Sequence, residues 1–140
     1  MNAKIPILLI ICLLASVVPV YCASLSNQWA VEDKADGIAI GPGGEVYVNI
    51  NQNHRVVKYS PEGEMLMEWS LEGVADDIAV GPGGEVYVNI NQNHRVVKYS
   101  PEGVMLDGWT VEGEMTDMAI GSNGLVYLSF TNGLIQVFVA

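Results

Sequence analysis

From residue 37 onward, short apolar runs alternate with clusters of Gly, Pro, Asn and Ser at even intervals. Ile38-Ala39-Ile40 is the first run, ended by Gly41-Pro42-Gly43-Gly44. Glu45 to Ile50 follows, with Val46, Val48 and Ile50 on one face of a strand of period two. Asn51-Gln52-Asn53-His54 is polar and reads as a turn, and Arg55 to Tyr59 predicts a third strand. Ser60-Pro61-Glu62-Gly63 fits a type I turn, with Ser first, Pro second and Gly fourth. Met65 to Leu71, around Trp69, predicts a fourth strand. Outside the N-terminal segment no window carries a helical period.

This pattern recurs with a period of 40, marked by Trp29, Trp69 and Trp109 and by Glu32, Glu72 and Glu112. The stretch from Gly41 to Gly63 returns letter for letter from Gly81 to Gly103, which points to a recent duplication. The third unit keeps the frame with Gly121-Ser122-Asn123-Gly124 and Val126-Tyr127. It is one residue shorter where Thr131-Asn132-Gly133-Leu134 replaces the Asn-His-Arg region. The units run over about 29–68, 69–108 and 109–140.

Four antiparallel strands in each unit of this length predict an all-β protein made of β-propeller blades. A blade packs both faces against neighbours, so apolar residues belong on both sides of its strands. Tyr47 and Val56 are accordingly out of phase with Val46 and Val57. Gly37-Ile38-Ala39-Ile40, Gly44-Glu45-Val46-Tyr47-Val48, Asn53-His54-Arg55-Val56 and Tyr59-Ser60-Pro61-Glu62-Gly63 together resemble the NHL repeat, over about residues 29–140. The resemblance implies an NHL-type propeller, usually six-bladed in that family. Ile50 and Ile90 stand where the family commonly places Asp.

Gln28-Trp29-Ala30-Val31 aligns with the fourth strand of a unit, and the last unit has only three strands. The expected total is therefore twelve strands, or three blades' worth, half of a six-bladed ring. Three blades do not close a ring, since propellers typically have 4 to 8. A two-fold homodimer completing a six-bladed ring is one expectation. A non-functional fragment of a longer propeller is the other.

Residues 1–23 read as a signal peptide, with Lys4 before an apolar run from Ile7 to Val18 and a cleavage region at Pro19-Val20-Tyr21-Cys22-Ala23. The run is short for a membrane span, which needs about 20 residues. The expected protein is secreted or extracytoplasmic, and membrane-anchored through residues 5–20 only if this segment is retained. The mature part is 24–140. Both cysteines, Cys12 and Cys22, lie at the N-terminus, so no disulfide framework is expected.

Half of the 140 residues are apolar, which excludes a disordered chain, and the net charge is −10. Beyond the first segment the cations are Lys34, Arg55, Lys58, Arg95 and Lys98, too few and too scattered for a nucleic-acid partner. The two histidines, His54 and His94, lie in the Asn53-His54-Arg55 and Asn93-His94-Arg95 triplets. Related propeller lyases gather histidines around a central channel with a divalent metal. Two histidines at matching places make a poor zinc site, which normally takes three or four protein ligands. The preferred reading is structural: the histidines fix a turn, and the arginines pair with carboxylates of neighbouring blades.

Asp36, Asp76, Asp77 and Asp117 precede the first strand of each unit, on the end of the propeller expected to carry the histidines. They form a candidate binding site for a cationic ligand or Ca²⁺, with His54 and His94 as further candidate binding residues, against the plainer reading of solvated acids. Trp29, Trp69 and Trp109 are expected in blade-to-blade packing. No catalytic residue and no metal ligand set is assigned. The chain reads as a binding scaffold for a protein or small-molecule ligand. The alternative is a metal-dependent lyase or lactonase of the propeller kind.

Overall fold

A computed structural model describes residues 23–140, so the signal-segment reading lies almost wholly outside the described residues. Each unit builds one antiparallel sheet. The first contains β1 (Gly37–Ile40), β2 (Val46–Ile50), β3 (Arg55–Tyr59) and β4 (Met65–Ser70), in that spatial order. The second contains β5 (Asp77–Val80), β6 (Val86–Ile90), β7 (Arg95–Tyr99) and β8 (Met105–Thr110). The third has β9 (Met115–Ile120), β10 (Val126–Phe130) and β11 (Ile135–Phe138). These are up-and-down meanders, the build of propeller blades.

Local chemistry explains where each strand stops. In the first turn Gly44 N–H bonds Gly41 O at 3.0 Å, and Gly44 adopts φ 83°. Gly63 N–H bonds Ser60 O at 3.0 Å with Gly63 at φ 92°, while Ser60 Oγ accepts the Glu64 N–H at 3.1 Å. A glycine is needed at these left-handed positions because a Cβ there meets the backbone. The polar link after β2 is one turn of 3₁₀-helix, Asn51–Asn53, closed by His54 in the left-handed region at φ 48°. The same device recurs at Asn91–Asn93 and His94.

The inner strands β1, β5 and β9 lie side by side, and the blades stack face to face around them. Tyr47 and Val56 of the first blade interlock with Ile78, Val86, Val88 and Val97 of the second. Tyr87 and Val96 repeat this against Met118, Val126 and Leu128 of the third. Residues of both strand phases are thus buried, as a sheet covered on both faces requires.

Eleven strands are formed among the described residues rather than the expected twelve. Gln28–Val31 is not a strand, because no described strand lies beside it to complete a ladder. It is nevertheless docked. Trp29 packs on Tyr59 with ring centroids 6.1 Å apart, close to the 5.9 Å between Trp69 and Tyr99 one repeat later.

Candidate functional site

The acids and the histidine turns occupy one end of the stack. Asp36 precedes β1, and its Oδ2 accepts the Asn51 N–H at 3.0 Å. Lys34 Nζ pairs with the other oxygen at 3.0 Å. The Asn51 N–H first, and Lys34 second, hold the Asp36 carboxyl below its ordinary range. Asp76 repeats the first contact, accepting the Asn91 N–H at 2.9 Å. Both side chains therefore tie the entry of an inner strand to the 3₁₀ turn of the same blade.

Asp77 and Asp117 form a separate group on the inner strands. Asp77 Oδ2 reaches across the blade interface to Met118 N–H at 2.8 Å, and Asp117 Oδ1 accepts from that same N–H at 2.8 Å. Burial pushes the Asp77 carboxyl above its ordinary range, and the hydrogen bond with Asp117 adds to this. The first blade has Gly37 at this position, so the pair is not repeated around all three blades. Among the described residues, no three His, Cys, Asp or Glu side chains gather where they could hold a metal ion.

The histidines lie outside the carboxylate pair's contacts. His54 and His94 are exposed, and the carbonyl of each fastens the residue just past the outer strand of its own blade, Leu71 N–H at 2.6 Å and Val111 N–H at 2.8 Å. His94 Nδ1 also sits 2.9 Å from the Gly113 carbonyl. Asn53 Nδ2 donates to Asp33 at 3.2 Å. Arg55 pairs with Glu32, 2.8 Å away, and with Glu68 across its own sheet. Arg95 pairs with Glu72 at 2.8 Å. In both triplets the arginine joins its blade to the segment leading into it. Trp69 and Trp109 pack onto Tyr99 and Phe138 of the following blade.

Sequence reasoning missed four asparagines. Asn51 Oδ1 accepts the Ala75 N–H at 3.0 Å, and Asn91 holds Met115 by both its N–H, 3.1 Å, and its carbonyl, 3.0 Å. These side chains clasp one blade to the start of the next. Asn49 and Asn89 are fully buried, and the Oδ1 of each lacks a partner among the described residues. The signal was present in the replacement of Asn51 and Asn91 by Thr131 in the one unit with no described successor.

At the opposite end Ile40, Val80 and Ile120, with the Gly-Pro and Gly-Ser turns after them, line an open depression of 340 Å³ and of mixed polarity. Lysines brace the flanks: Lys58 Nζ lies over the Tyr47 ring at 5.3 Å and bonds the Pro101 carbonyl of the next blade at 3.1 Å.

No family model and no curated protein matches the chain. Solved structures do. Hydrazine synthase of Kuenenia stuttgartiensis is 16% identical over 85% of this chain and 36% of its own, with a TM-score of 0.67. Virginiamycin B lyase from Staphylococcus aureus is 17% identical over 82% of this chain and 43% of its own, with a TM-score of 0.59. A gluconolactonase from Xanthomonas campestris is 16% identical over 77% of this chain and 38% of its own, with a TM-score of 0.63. The chain spans less than half the length of each. At these identities the likeness is one of fold: the blades are those of a β-propeller.

Proposed function

We propose that the protein is an exported NHL-type propeller module that acts as a binding platform for a protein or small-molecule ligand. One observation carries the reading. The blade ends are braced by the same hydrogen bonds in successive repeats, Asp36 to Asn51 and Asp76 to Asn91. Asp36 and Asp76, two of the four candidate aspartates, are spent on these braces. Rigid scaffolds presenting blade-end loops are suited to recognition, and the open depression at the Gly-Pro end offers a contact surface. The Asn-His-Arg triplets support the NHL-type assignment: in each a left-handed histidine closes a 3₁₀ turn, and the arginine ties the blade to the segment leading into it.

The test has two arms. Ligands retained from extracellular fluid on the immobilised protein should be released by Pro42→Glu or Pro82→Glu, and retained by Asp117→Asn. Turnover of lactones and of streptogramin B antibiotics is then assayed with and without Ca²⁺, Mg²⁺ and Zn²⁺. Metal-dependent turnover lost in Asp77→Asn would overturn the platform reading in favour of the lyase or lactonase alternative.

A further inference from the structure

The two end faces of the arc carry the residues that interior blades bury. Ile38 on the front of the first blade is 66% exposed, whereas its counterpart Ile78 is 4% exposed. On the back of the third blade Tyr127 is 37% exposed and Ile135 64%, against 2% for Tyr87 and 0% for Val96. The third blade also has a free edge, since among the described residues no strand pairs with the outer side of β11. The front of the arc has the converse. Trp29 lies over Gly63 at the same spacing as Trp69 over Gly103, with an added Cβ 2.7 Å from the indole in each case. Residues 28–31 thus occupy the place of an outer strand belonging to a blade that would precede the first.

We propose that two copies of this chain close one six-bladed ring, each lending residues 28–31 as the fourth strand of its partner's third blade. One copy supplies an outer strand for the free edge of β11 in the other, and it is already seated against the correct face. Two-fold symmetry then satisfies both seams with a single self-complementary contact. Six blades fall within the range of closed propellers, whereas three fall below it and nine above. The register follows from the first blade, where Val56 faces Trp69 and Val57 faces Glu68. Counted through the repeat, Trp29 of one copy pairs with Ile135 of the other, and Gln28 pairs with Gln136. Ile38 and Ile40 of one copy then cover Tyr127 and Ile135 of the other. Asp117 meets the Ile38 N–H across the seam as Asp77 meets Met118 within the chain. The ring stands whether or not it binds a ligand.

Light scattering on the purified chain, over a range of concentrations, should give twice the chain mass, and Trp29→Ala should weaken association by about 30-fold or more. Because Trp29 also contacts its own blade, a second variant guards against misfolding. Gln28→Cys with Gln136→Cys places two thiols at directly opposed strand positions, within reach of a disulfide. Oxidation should yield a covalent dimer, and Gln28→Cys alone should yield none. A folded monomer at high concentration, an open-ended series of larger species, or an oxidised double variant running as a monomer would each overturn the ring. So would a stable complex in which a different propeller chain takes the place of the second copy.

Discussion

Asp77 and Asp117 meet across the second blade interface and share one proton donor, each accepting the Met118 N–H at 2.8 Å. Burial disfavours the ionised Asp77 carboxyl, and the neighbouring Asp117 adds to that penalty. A carboxyl whose folded value is raised favours the fold while it is protonated. Its contribution is complete below the ordinary value of 3.8 and is lost as pH rises through the raised folded value. Urea unfolding across the acid range should show this declining limb above 3.8. Asp77→Asn should flatten it and melt higher than the parent at neutral pH. Asp36 has the opposite sign: its carboxyl is lowered, so its contribution exists above 3.8 and is lost on further acidification. Asp36→Asn should remove that acid-side loss.

Among the described residues Arg55 has two carboxylate partners, whereas Arg95 has one, Glu72. The difference is Gly108, which stands where the first blade has Glu68. A Cβ at Gly108 would meet only the far end of the Arg95 side chain, 2.6 Å away, which can move aside. Gly108→Glu should therefore stabilise the protein by about 1 kcal/mol, through a strand better formed without glycine and a second ion pair. The midpoint of urea unfolding checks it, and the gain should shrink at high salt.

Gly103 and Gly124 both have positive φ, 81° and 79°, but only Gly103 lies under an indole. Gly124→Ala should cost about 1–2 kcal/mol, the strain of a left-handed alanine. Gly103→Ala carries the same strain and also displaces Trp69, so it should cost about 3 kcal/mol or more. Thermal unfolding of the two variants side by side separates backbone strain from lost packing.

Asn91→Ala removes both side-chain bonds to the backbone of Met115. The expected loss is about 2 kcal/mol, because a buried amide at the blade junction is left without its acceptor. Hydrogen exchange should quicken at Met115, while the protection of Val96 and Val97 within the second blade stays near that of the parent.

Much of the fold was legible from residue order. Val46, Val48 and Ile50 announced a strand, Ser60-Pro61-Glu62-Gly63 a turn, and the three tryptophans a period. The candidate site was legible only in part. Asp36, Asp76, Asp77 and Asp117 look alike in the chain, yet two brace turns within a blade and two meet between blades. Thr131 in place of Asn51 and Asn91 hints that these asparagines serve a following blade, but nothing local names their partners, which lie 24 residues away in the next blade.

The sequence by itself determined the all-β class, the approximate places of eleven strands, the sites of the turns and the repeat, because alternation and turn chemistry act over a few neighbouring residues. Only the tertiary structure decided which carboxylates share a donor, which apolar faces are covered, and that residues 28–31 dock without forming a strand. Those outcomes depend on what lies across a blade interface. A strand exists only where another backbone is there to pair with it.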